Sequence, residues 1–132
     1  MKKTLCLLAL CISFSAIAQA SDVNILQKSL KPWQPLAINE KNNIVIVNMN
    51  EGEVTSDVYL AVIRSGVCVP AWDKKNASYL KNTKEVRILN KHNYMGYVLE
   101  NPRSTCDDVG TAVGDNATNS IILSHTHMNM NH

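Results

Sequence analysis

A chain of 132 residues, 45% hydrophobic and 18% charged, has room for one domain with a modest core and not for two. Its formal charge of +2 falls to about zero once Lys2 and Lys3 are set aside, because the remainder holds eleven basic and eleven acidic residues. That balance argues against nucleic acid as a partner, since counterion release from phosphates needs a basic excess.

The first twenty residues read MKKTLCLLALCISFSAIAQA: two lysines, an apolar run from Leu5 to Ala18, and small residues at Ala18 and Ala20 around Gln19. This is the layout of a secretory signal peptide cleaved before Ser21, and the run is shorter than the roughly 20 apolar residues of a membrane span. Cys11 is preceded by Leu10, where a lipidation site needs a small residue. Removal of residues 1–20 takes Cys6 and Cys11 with it and leaves 112 residues holding Cys68 and Cys106. In an oxidising compartment, periplasmic or outside the cell, these two have one intramolecular pairing open to them. Closing a loop of about 39 residues is worth about 4 kcal/mol on the chain-entropy account.

Behind Ser21 and Asp22, Val23, Leu26 and Leu30 follow a helical spacing that Pro32 ends. Lys31 to Pro35 is extended by its two prolines, with Trp33 anchoring it to the core edge. Leu36–Ile38 and Ile44–Asn48 read as a hairpin across the turn at 39–43, and the Ile44–Val47 run predicts a strand covered on both faces. Thr55, Ser56 and Asp57 form an N-cap cluster and Gly66 a stop, which favours a buried helix from about Thr55 to Ser65. The β-branched content of VYLAVI suits a strand almost as well. An extended Val67–Val69 limited by Pro70 follows, then Trp72 over the disulfide, then a surface connection through 73–84 with core contacts at Tyr79 and Leu80. Val86–Leu89 and Gly96–Glu100 form the clearest hairpin, across Asn90–Met95. Gly110, Gly114 and Asp115 mark Asp107–Ala117 as a loop, and Asn119–Leu123 as a last short strand or helical turn.

Ser124–His132, SHTHMNMNH, concentrates three of the four histidines and two of the five methionines, without a core-forming pattern. Imidazole and thioether together suit Cu(I), and imidazole alone suits Cu(II), Ni(II) or Zn(II), so His125, His127, Met128, Met130 and His132 are candidate ligands in a flexible tail. In composition this stretch resembles the His- and Met-rich tails of exported bacterial copper and silver handling proteins. Lys91, His92, Asn93 and Tyr94, at the hairpin end, combine aromatic area with hydrogen-bonding groups and form a candidate contact surface for a protein or sugar partner. Cys68 and Cys106 are too far apart for a CxxC motif, and neither the adjacent Asp107 and Asp108 nor their spacing to Asp115 makes an acid–base pair or a calcium loop.

The expectation is therefore an α+β fold: one small domain over 21–123 with an antiparallel sheet, one or two short helices and the Cys68–Cys106 disulfide. Residues 1–20 are read as an export signal and 124–132 as a His/Met-rich tail. The expected function is non-enzymatic binding by surface complementarity, of an inhibitor, immunity or accessory kind, with copper-type metal handling through the tail as the alternative. No cofactor is expected beyond copper at that tail, and no membrane association after signal cleavage.

Overall fold

The computed structural model describes residues 21–130, so the export signal expected at 1–20 and the candidate ligand His132 lie outside the described residues. Ser21 opens helix α1 (Asp22–Ser29), its hydroxyl accepting from the Asn24 N–H at 3.2 Å. Asp22 is turned away to a distant segment, where its carboxylate accepts from Leu80 N–H at 3.0 Å and from the Thr83 hydroxyl at 2.7 Å. One acidic residue thus ties the first helix to the 73–84 connection. Arg103 holds the same connection from the other side, donating to the carbonyls of Tyr79 (2.9 Å) and Asn76 (3.3 Å).

Strands β1 (Ala37–Lys41) and β2 (Ile44–Asn48) pair antiparallel around Asn42 and Asn43. Both asparagines have positive φ, the conformation a two-residue hairpin turn demands and asparagine tolerates well. Helix α2 (Ser56–Val62) starts at Thr55, whose side chain caps Val58 N–H at 3.2 Å, so the boundary signals win over the β-branched content. The helix widens into a looser turn over Ile63–Val67, where Cys68 N–H bonds Ile63 O at 2.9 Å. Where an extended Val67–Val69 was expected, the looser turn runs to Val67 and a tight helical turn follows over Val69–Trp72. Pro70 has the fixed φ that such a turn uses, and Cys68 is anchored at its start by the disulfide to Cys106, with Cα atoms 4.9 Å apart. Trp72, expected to cover the bridge, is tied to the residue at one end of it, its indole N–H donating to Cys106 O at 2.8 Å.

Strands β3 (Glu85–Leu89) and β4 (Met95–Glu100) form the second hairpin. Two helices follow, α3 (Pro102–Thr111) and α4 (Asp115–Ser124), in place of the loop expected over 107–117. The glycines there serve packing and capping. A side chain at Gly110 would come within 2.6 Å of the Trp72 indole nitrogen, and Gly114, with φ of 88°, is the residue from which α4 starts. The chain then returns as β5 (Thr126–Met130), antiparallel to β4.

The result is α+β, with a five-stranded sheet in the order β1-β2-β3-β4-β5 and one disulfide. Three of the four pairings are antiparallel, as expected, but β2 and β3 are parallel, and the described residues hold four α-helices where one or two were expected. The parallel pair follows from the long segment between β2 and β3, which carries α2 and returns the chain to the end of the sheet where β2 began.

Register divides the sheet into two faces. Ile38, Val45, Val47, Val86, Ile88 and Leu99 point one way and form a single cluster with Leu26, Leu30, Tyr59, Val62, Ile63 and Ile122 from the helices. On the other face Ile44 and Ile46 are half-buried beside Arg87, which is paired with Glu85 at 2.9 Å. β2 is thus fully covered on one side only, contrary to the expectation for it.

Candidate functional site: the hairpin end and the β5 edge

The end of the β3–β4 hairpin is built around a buried amide. Asn90 Oδ1 accepts from the N–H groups of Tyr94 (3.1 Å) and Met95 (3.3 Å), while its Nδ2 donates to Gly52 O at 3.2 Å. The Asn90 carbonyl receives the Asn48 amide at 2.6 Å, Lys91 N–H bonds Glu51 O at 2.8 Å, and Asn129 Nδ2 from β5 bonds Tyr94 O at 2.8 Å. Asn93 completes the turn with φ of 57°. The backbone of the loop is therefore held by the 49–53 segment, by β2 and by β5. The side chains of Lys91, His92, Asn93 and Tyr94 are left exposed.

Asn48, Asn90 and Asn129 were not singled out in the sequence, because an asparagine that braces a loop reads the same as one that merely favours a turn. The four contact residues are brought together, as they must be in one turn. Of the five proposed metal ligands, the four within the described residues, His125, His127, Met128 and Met130, are not.

Where a flexible tail was expected, Thr126–Met130 is an edge strand. Thr126 fixes it: its hydroxyl lies 2.6 Å from that of Tyr59 and donates to Ile122 O at 2.7 Å. Tyr59 in turn stacks on Tyr97 of β4, ring centroids 4.7 Å apart and planes 28° from parallel. Burial, the largest influence on the Tyr59 phenol, pushes its pKa well above the ordinary value, and the Thr126 hydrogen bond offsets only part of this. Because side chains alternate along a strand, Met128 and Met130 share the helix-side face with Thr126, whereas His127 projects to the opposite face. There it meets Glu100, Nδ1 to Oε1 at 2.7 Å, both about half exposed, so the contact is solvent-screened and adds little to stability. His125 ends α4, its N–H bonded to Ile122 O, and its ring is half-buried. His127 is thus parted by the sheet from Met128 and Met130.

Met95, which the sequence reading passed over, stands directly opposite Met130 in the β4–β5 ladder. Exposed large apolar side chains gather here: Tyr94, Met95, Met128 and Met130 are each between 42% and 58% exposed. Asp107 pairs with Arg103 at 3.4 Å and Asp115 with Arg64 at 3.4 Å, both at the surface. Among the described residues no group of three or more His, Cys, Asp or Glu is placed to hold a metal ion. Both described cysteines are in the disulfide, which leaves no thiol there for nucleophilic chemistry.

No protein-family model, curated protein or solved structure matches the chain.

Proposed function

We propose that this is an exported, non-enzymatic binding protein that engages another protein through the β3–β4 hairpin end. The observation that carries the reading is the bracing of residues 90–95. Their polar backbone groups are bonded to three other segments, so exposed Lys91, His92, Asn93 and Tyr94 are presented on a stiff support. A partner meeting such a surface orders few new torsions, and a fixed tyrosine beside amide and cationic groups is the composition of an energetic contact centre. An inhibitor, immunity or accessory role acts in this way, by complementarity and without bond chemistry.

Export to the periplasm or beyond the cell accords with the disulfide, which persists in oxidising compartments. No helix among the described residues is long and apolar enough to cross a membrane.

The test places a photo-crosslinking side chain at position 92 in the native cell envelope, with position 39 on β1 as the distant control. A discrete adduct from position 92 that disappears in the Lys91→Ala, Tyr94→Ala background, with unfolding unchanged, is the expected result. Equal adducts from both positions, or none from position 92, would remove the hairpin end as the contact.

A further inference from the structure

We infer that Met95, Met128 and Met130 form a thioether site for a soft monovalent cation, Cu(I) or Ag(I). This does not depend on the partner reading, since it rests on different side chains and different chemistry.

The placement is the first support. Of the described methionines only Met49 is buried, at 1% exposure, whereas the other three are 45%, 58% and 55% exposed on one face of two neighbouring strands. Methionine is ordinarily an interior residue, and three of them outside together are not explained by the core. Register supplies the geometry. Met95 and Met130 are directly opposed, which brings their Cβ atoms to within about 5 Å, and Met128 lies on the diagonal from Met95 at about 7–8 Å. Flexible unbranched side chains span such separations, so three sulfurs can close on one ion from above the strands.

The identity of that face is fixed by contacts as well as by alternation. Thr126, two residues before Met128, reaches Tyr59 on α2, and Tyr97, opposite Met128, stacks on the same ring. The backbone under the methionines is thereby held, leaving only side-chain torsions to be ordered on binding. The Tyr97 ring is half-buried beside the cluster, and a cation near an aromatic face gains further electrostatic stabilisation.

Donor chemistry chooses the ion. With His127 on the opposite face against Glu100 and His125 at the end of α4, the cluster offers, among the described residues, sulfur without imidazole or carboxylate. Thioether alone selects Cu(I) and its soft congener Ag(I) over Zn(II), Ni(II) and Cu(II), which favour nitrogen and oxygen. The site is therefore narrower than the mixed His/Met tail that the composition suggests, and it includes a residue some thirty positions away.

Silver nitrate is the probe, titrated in chloride-free buffer into protein labelled at the methionine methyl groups and followed by NMR. The methyl signals of Met95, Met128 and Met130 should move together and saturate near one equivalent, while that of Met49 stays in place. Met95→Leu and Met128→Leu keep shape and burial, and each should weaken binding by at least about tenfold, whereas His127→Ala should leave it unchanged. Having two leucine variants guards against one of them disturbing the strand. Unmoved methyl signals at one equivalent would overturn the assignment. So would affinity lost in His127→Ala but kept in both leucine variants, or displacement of silver by Zn(II).

Discussion

Asn90 spends both ends of one buried amide on the hairpin, and an alanine there cannot replace either. Asn90→Ala strips the N–H groups of Tyr94 and Met95 and the carbonyl of Gly52 of their partner at a site only 4% exposed. Unpaired buried groups cost about 1–3 kcal/mol, so a loss of about 2 kcal/mol is expected in urea unfolding. Asn90→Asp keeps the acceptor oxygen for the two N–H groups but sets a second carboxylate oxygen against Gly52 O at a buried site, so its loss should shrink as pH falls and the carboxyl gains a proton to donate there. A loss in Asn90→Asp that does not shrink on acidification would mean that the bond to Gly52 contributes nothing.

At the scale of elements, β5 separates strand from tail. Ending the chain after His125 removes Thr126 from Tyr59 and Asn129 from Tyr94 O, and bares the edge of β4. A tail would come away without effect; removal of β5 should lower stability by about 2 kcal/mol or more, read as a lowered thermal midpoint. An unchanged midpoint would contradict the strand. The sequence made visible those elements whose signals are local. Asn42-Asn43 between two apolar runs, the Thr55 cap, the Leu26 and Leu30 spacing and the two remaining cysteines each carry their own instruction. β5 does not, because THMNM is short, has only two apolar residues and leaves both exposed, and its strand is set by the free edge of β4 and one hydroxyl from α2. Gly110 and Gly114 resembled loop markers, since nothing in the sequence says that Trp72 will lie against one of them. The parallel pairing of β2 and β3 was equally out of reach, as strand direction depends on how the 49–84 crossover packs. The exposure of Lys91, His92, Asn93 and Tyr94 at the hairpin end was legible because they are consecutive in one polar turn. The methionine cluster was half legible, Met128 and Met130 being adjacent in sequence and Met95 joining them only through register.

For the molecule as a whole, two buried phenols link stability to alkaline pH. Tyr59 and Tyr79 both have pKa values raised by burial, and Asp22 pushes Tyr79 further up against a smaller opposing effect of Arg103. The Tyr79 hydroxyl also donates to Val67 O at 2.6 Å, a bond that only the neutral phenol can make. In the unfolded chain these groups ionise near pH 10, while the folded protein still retains both protons. The unfolded state therefore binds fewer protons above that pH, and stability, complete below it, should fall as pH rises further. Urea midpoints measured between about pH 8 and 11 should stay level and then decline, and Tyr79→Phe should make the decline shallower. A midpoint that holds to pH 11 would show that the two rings ionise freely in the folded state. The direction of β5 has a practical consequence for handling the protein. The strand runs towards the hairpin end, with Met130 opposite Met95, so a polyhistidine tag fused behind it would emerge beside Tyr94 and bring imidazoles to the three methionines. Such a fusion would shield the proposed contact surface and supply metal ligands of its own. A tag ahead of Ser21 enters next to Asp22 and Thr83, by the opposite end of β3, and leaves both sites as the chain made them.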